Sequence, residues 1–122
     1  MKTILLVEDD FTTQKLLIDQ LKKKGYSVLI TTSGEEALAY TKARGPDLIL
    51  LDIMLKGKIN GFDYLESIKA SDKLKNIPVI ILTNLDSEER VAKEIGADEY
   101  LVKANTSIDN VVATITKHVP PS

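Results

Sequence analysis

The sequence predicts an α/β domain, a doubly wound (βα)5 sandwich with a parallel five-stranded sheet. Three observations carry this. Apolar, largely β-branched runs alternate with segments of helical period along the 122 residues. The runs lack polar alternation, which requires a sheet covered on both faces and hence parallel strands with helical crossovers. Several runs also end in, or just before, a charged or hydroxyl residue, and ligand sites of such sheets lie outside the carboxyl ends of the strands.

Ile4-Leu5-Leu6-Val7 is the first strand, followed by Glu8, Asp9 and Asp10. Leu17, Ile18 and Leu21 then keep helical spacing until Gly25 stops the segment. Val28-Leu29-Ile30 is the second strand, and Ser33-x-x-Glu36 reads as a capping box for a helix that Gly45-Pro46 ends. Leu48-Ile49-Leu50-Leu51 is the third strand and ends at Asp52. A loop with Gly57 and Asn60-Gly61 leads into a helix that turns Phe62, Leu65 and Ile68 inward. Pro78 precedes the fourth strand, Val79-Ile80-Ile81-Leu82, which leads to Thr83. Asp86-x-x-Glu89 opens a short helix with Val91 and Ile95 on its buried face, closed by Gly96. Tyr100-Leu101-Val102 is the fifth strand and leads to Lys103. The last helix carries the clearest stripe, Ile108, Val111, Val112, Ile115 and Val119, with Thr106 or Ser107 as its cap. Residues 1–122 thus read as one domain, with a core of about 3–119 and Pro120-Pro121-Ser122 as a tail or linker stub.

Composition narrows the function. A formal net charge of -2 gives no general electrostatic reason to bind nucleic acid or an anionic membrane. There is no cysteine, which excludes a disulfide framework, a thiolate metal site and a cysteine nucleophile. The first apolar run is too short for a signal peptide, and no later one is long enough to span a bilayer. A cytoplasmic protein is expected.

The strand ends supply the chemistry. Asp52 closes a buried strand, where a carboxylate needs partners to stay ionised; as a nucleophile it would attack a phosphoryl group and become an aspartyl phosphate. Asp10 is expected to cap the following helix. Two carboxylates ~4 Å apart at an effective dielectric of ~20 repel by roughly 4 kcal/mol, so acids converging at one edge imply a bound cation. All-oxygen ligands with water suit Mg²⁺. Thr83 and Lys103, unremarkable singly, become a hydroxyl donor and a point charge for phosphoryl oxygens if their strands lie beside Asp52. If Asp9 and Asp52 share a cation, the first and third strands are neighbours, and the order is 2-1-3-4-5. His118, with no second His or Cys, is not expected to be a ligand.

Taken together, Leu6-Val7-Glu8-Asp9-Asp10, Leu51-Asp52-Ile53-Met54-Leu55, Asn60-Gly61-Phe62, Ile81-Leu82-Thr83 and Gly96-Ala97-Asp98-Glu99-Tyr100-Leu101-Val102-Lys103 resemble a bacterial response-regulator receiver domain over essentially the whole chain. The resemblance implies a flavodoxin-like fold with order 2-1-3-4-5 and Asp52 as phosphoacceptor. It implies Glu8 and Asp9 as the acidic pair for Mg²⁺, with Asp52 and the Met54 backbone carbonyl as further ligands. Thr83 and Lys103 would contact the phosphoryl group, and Tyr100 would be the switch aromatic. The partners implied are a histidine kinase or histidine phosphotransfer protein and a downstream protein target, reached through the helix 4–strand 5–helix 5 face. Such a protein is a signalling phosphoacceptor rather than an enzyme with an external substrate.

Three positions depart from the family pattern. Asn84 stands where Ala or Gly is usual after the hydroxyl, and Ala104 where Pro follows the lysine. Leu55-Lys56-Gly57-Lys58-Ile59 lacks the usual Pro and is one residue longer. Because a cis bond before a non-proline costs roughly 2.5–4 kcal/mol, the Lys103–Ala104 bond is expected to be trans. A haloacid-dehalogenase-like phosphatase would need a second Asp at Met54, and a flavodoxin-like binding module would need a hydroxyl- and glycine-rich phosphate loop where Glu8-Asp9-Asp10 would repel phosphate. A receiver-shaped interaction module that is never phosphorylated is the remaining alternative.

Overall fold

The protein is described by a computed structural model over residues 1–121. Its elements are β1 (Thr3–Val7), α1 (Phe11–Lys23), β2 (Ser27–Thr31), α2 (Gly34–Arg44), β3 (Leu48–Leu51), α3 (Gly61–Ala70), β4 (Val79–Thr83), α4 (Glu89–Ile95), β5 (Glu99–Val102) and α5 (Ile108–His118). A 3-10 turn, Lys103–Asn105, joins β5 to α5. The sheet has the order β2-β1-β3-β4-β5 with every pair parallel, as the resemblance implies. Ser122, the last residue of the expected tail, lies outside the described residues.

The missing polar alternation has its cause in two cores. Leu5, Val7, Ile49, Leu51 and Ile81 face Ala37, Leu65, Ile68 and Ala92 of α2, α3 and α4. Their neighbours along the strands, Ile4, Leu6, Leu48, Leu50 and Ile80, face Leu17, Leu21, Val111, Val112 and Ile115 of α1 and α5. Successive side chains of a strand point to opposite faces, so both faces must be apolar. Fully burying each large aliphatic side chain contributes ~1.5–3 kcal/mol.

Helix starts follow the sequence with three adjustments. Asp10 caps α1 by accepting from the Thr13 N–H, and Ser107, not Thr106, caps α5 by accepting from the Asn110 N–H. At α2 the Ser33 hydroxyl accepts from the Glu36 N–H, but the Glu36 carboxylate reaches the Thr32 N–H, one residue earlier than a capping box would take it. The full box is at α3, where Asn60 and Asp63 exchange side-chain-to-backbone bonds. The third adjustment is α4. It begins at Glu89 without a side-chain cap, and Val91 is 45% exposed while Ala92 is fully buried. The helix turns its small residue to the core and leaves Val91, expected inward, facing outward, with Ile95 only partly covered.

Candidate functional site

The carboxyl edge of the sheet is built by extending the ladder one residue past two strands. The Glu8 N–H donates to the Thr31 carbonyl (3.0 Å) and the Asp52 N–H to the Val7 carbonyl (2.9 Å). Both side chains therefore start from fixed backbone at the ends of β1 and β3, and both are nearly inaccessible, at 1% and 6% exposure. Asp9, next in line, is exposed. Ligand oxygens of Glu8, Asp9 and Asp52 lie within 4.8 Å of one another. Such a set, two buried acids and one exposed acid offering only oxygen, fits a hard divalent cation.

Lys103 enters from the far side of β4. Its Nζ lies 2.6 Å from Glu8 Oε1 and donates to Asp52 Oδ2 at 3.0 Å. The other Asp52 oxygen, Oδ1, accepts from the Met54 N–H (2.9 Å), and Glu8 Oε2 accepts from the Asp10 N–H (3.0 Å). Gln14 anchors the same turn by donating to the Glu8 carbonyl at 2.6 Å. Burial pushes the Glu8 carboxyl above its usual range, against the opposing pull of Lys103 and the Asp10 N–H, and the Asp52 charge adds to the rise. Burial also works against the Lys103 ammonium, yet its bonds to Glu8 and Asp52 and their charges prevail and raise it.

These groups line an open cleft of about 680 Å³ together with Asp10, Thr13, Lys56, Asn84 and Ala104. Of the residues expected at the site, Glu8, Asp9, Asp52, Met54 and Lys103 are brought together there. Thr83 and Tyr100 are not on the wall. Thr83 is fully buried, and its Oγ1 accepts from the Leu85 N–H at 3.4 Å. The Tyr100 hydroxyl donates to the Leu85 carbonyl at 2.5 Å, and burial raises its phenol above the usual value. Both thus converge on the backbone of one residue, Leu85. The Lys103–Ala104 bond is trans, as expected, and the 3-10 turn that begins at Lys103 still delivers its side chain to the acids. A larger and more apolar hollow of about 890 Å³ lies along α1, lined by Phe11, Leu16 and Ile18 among others, and gathers no convergent acids.

A parallel 2-1-3-4-5 sheet with acids and Lys103 converging at its carboxyl edge is the frame of a signalling receiver. The chain belongs to the response regulator receiver domain family, whose model matches residues 4–116. It is 41% identical over 105 residues to the transcriptional regulatory protein AfsQ1 of Streptomyces coelicolor, covering 84% of this chain and 45% of that protein. It is 33% identical over 121 residues to the polar-differentiation response regulator DivK of Brucella anthropi, covering 97% of this chain and 96% of that one. The chain thus spans less than half of AfsQ1 and nearly all of DivK. Among solved structures, the Mn²⁺-bound form of response regulator Rcp1 aligns with a TM-score of 0.82 at 33% identity, over 96% of this chain and 93% of that one. The protein is a receiver domain of two-component signalling. No helix among the described residues is long and apolar enough to cross a membrane.

Proposed function

We propose that the chain, one receiver domain with its core at about 3–119, takes a phosphoryl group onto Asp52 in a Mg²⁺-dependent reaction. The observation that carries this is the convergence on Asp52 of Glu8, Asp9 and Lys103, with one Asp52 oxygen oriented by the Met54 N–H and the other by Lys103. An Asp52 oxygen attacks phosphorus, the bond from phosphorus to the donor's nitrogen or oxygen breaks, and the leaving group departs with its electron pair to take up a proton. The Lys103 ammonium is placed to donate to the phosphoryl oxygens, and fixed orientation of the carboxylate lowers the entropic cost of reaching the transition state. Glu8, Asp9, Asp52 and the Met54 backbone carbonyl would hold the cation, which when bound offsets the charge of the arriving phosphate.

Thr83, through its hydroxyl, and Tyr100 serve as the switch in this reading, relaying the new charge to the α4–β5–α5 face. The donor is a histidine kinase or a histidine phosphotransfer protein in the cytoplasm, where phosphodonors are charged. Exposed Phe11, one residue beyond Asp10, begins the apolar side of α1 next to the cleft, a surface such a donor would cover. The test is labelling from acetyl phosphate. Intact mass should rise by one phosphate with Mg²⁺, and neither Asp52→Asn nor EDTA-treated protein should gain it. Equal labelling of the variant overturns the assignment.

A further inference from the structure

We infer that Lys56 is a specificity determinant of the phosphorylation reaction, a cation held at the cleft mouth that draws in small anionic phosphodonors. The inference rests on the phosphoacceptor reading above. The cleft wall carries four carboxylates, Glu8, Asp9, Asp10 and Asp52, and two ammoniums, Lys56 and Lys103, a formal charge of -2. A donor that is itself an anion meets that field before it meets Asp52. A bound divalent cation offsets the wall charge and no more, so nothing is left to favour the anion's entry.

The two lysines are not equivalent. Lys103 is committed to Glu8 and Asp52, at 2.6 and 3.0 Å. Lys56 is exposed and takes part in no ion pair or side-chain hydrogen bond among the described residues, so its ammonium is available to an incoming anion. Its place at the mouth is fixed by the backbone. The Ile59 N–H donates to Glu35 Oε1 of α2 at 2.7 Å, and Gly34 allows the Ile59 carbonyl to lie where any Cβ would collide with it. On the far side of the loop, Asn60 caps α3. Lys58, two residues along the same loop, is also exposed but does not line the cleft. It provides a control of equal charge on the same segment.

Cleft charges of one sign raise the local concentration of an opposite ion and its rate of association, an effect that salt suppresses. The experiment measures the initial rate of Asp52 labelling against acetyl phosphate concentration, at saturating MgCl₂ and low ionic strength, by intact mass. Lys56→Ala should lose roughly fivefold in the rate at low donor concentration, a modest share of what a charged cleft supplies. Lys58→Ala should stay within experimental error of the unaltered protein, and Lys56→Arg should restore most of the loss. The deficit of Lys56→Ala should close as salt rises, and its melting temperature should match that of the unaltered protein. Equal rates for Lys56→Ala and Lys58→Ala, or a deficit that salt leaves unchanged, overturn the inference. If the unaltered protein takes no phosphate, or Asp52→Asn takes as much, the phosphoacceptor reading itself falls.

Discussion

Lys103 is the residue on which the acidic edge depends. Two carboxylates with almost no access to water share one ammonium, and removing that partner leaves both acids facing each other at low dielectric. Breaking a buried ion pair from one side costs about 3–5 kcal/mol. Lys103→Ala should therefore lower stability by about 3 kcal/mol in urea titration at neutral pH. Mg²⁺ should raise the melting temperature of this variant more than that of the unaltered protein, because the ammonium no longer competes for the same carboxylates and a ligand stabilises the state it binds. Equal Mg²⁺ shifts would show that ion and lysine do not share ligands. Glu8, Asp52 and Lys103 are legible in the sequence because each follows an apolar run that could only be a buried strand. Thr83 obeys the same rule and yet sits behind the wall, since a strand end fixes where a Cα lies but not what its side chain meets. Lys56 was invisible for the converse reason: it lies on an irregular loop whose path only tertiary contacts decide.

Between elements, two polar links tie helices to the site and to the sheet. The bond from the Ile59 N–H to Glu35 fastens the loop after β3 onto α2, and its loss should cost about 1 kcal/mol. Glu35→Ala should speed hydrogen exchange of the amides at 56–59, a local opening, while Glu35→Gln, which keeps an acceptor, should not. The second link joins β5 to α5. The His118 ring lies 2.8 Å from Glu99 Oε2, with Lys117 at 3.5 Å, and the His118 bond, opposed by burial and aided by Lys117, holds the Glu99 carboxyl below its ordinary 4.5. A carboxyl lowered in the folded state gives stability that is complete above 4.5 and lost as pH falls through the lower folded value. The stability difference between the unaltered protein and His118→Ala should therefore shrink as pH drops below 4.5, from a plateau under about 1 kcal/mol. A difference independent of pH would assign His118 a packing role alone. Helices with strong stripes, such as α5, were readable at this scale. The seven residues of α4 were not, because a rotation of about 100°, the angle between consecutive residues, decides whether Val91 or Ala92 faces the core.

Across the whole molecule, the strand order is legible only through chemistry. Periodicity gives five strands and five helices, while the requirement that Asp9 and Asp52 meet, with Thr83 and Lys103 beside them, is what selects 2-1-3-4-5. The same order places β4 between β3, which leads to the proposed phosphoacceptor, and β5 of the proposed output face, so a signal between them would cross it. Two bonds span that gap: the Leu85 N–H donates to Thr83 and the Leu85 carbonyl accepts from Tyr100, so that the end of β4 and a β5 side chain grip one peptide segment from two sides. The bond to Thr83, at 3.4 Å, is long for a hydrogen bond and is the weaker grip. In the proposed switch a phosphoryl oxygen at Asp52 would accept from the Thr83 hydroxyl, which itself accepts from the Leu85 N–H, so a shift of Thr83 toward the phosphate would draw on Leu85, with Tyr100 and α4 following. A ligand moves such an equilibrium only through contacts that differ between its states, and the Thr83 hydroxyl supplies one. Beryllofluoride with Mg²⁺ should therefore shift the amides of residues 83–85, Tyr100 and α4 in the unaltered protein. Thr83→Val should confine the shifts to the neighbourhood of Asp52. Tyr100→Phe, which frees the Leu85 carbonyl, should keep the shifts at 83–85 and lose those beyond. Shifts limited to the Asp52 loop in the unaltered protein would show that the two grips on Leu85 are structural and carry no signal.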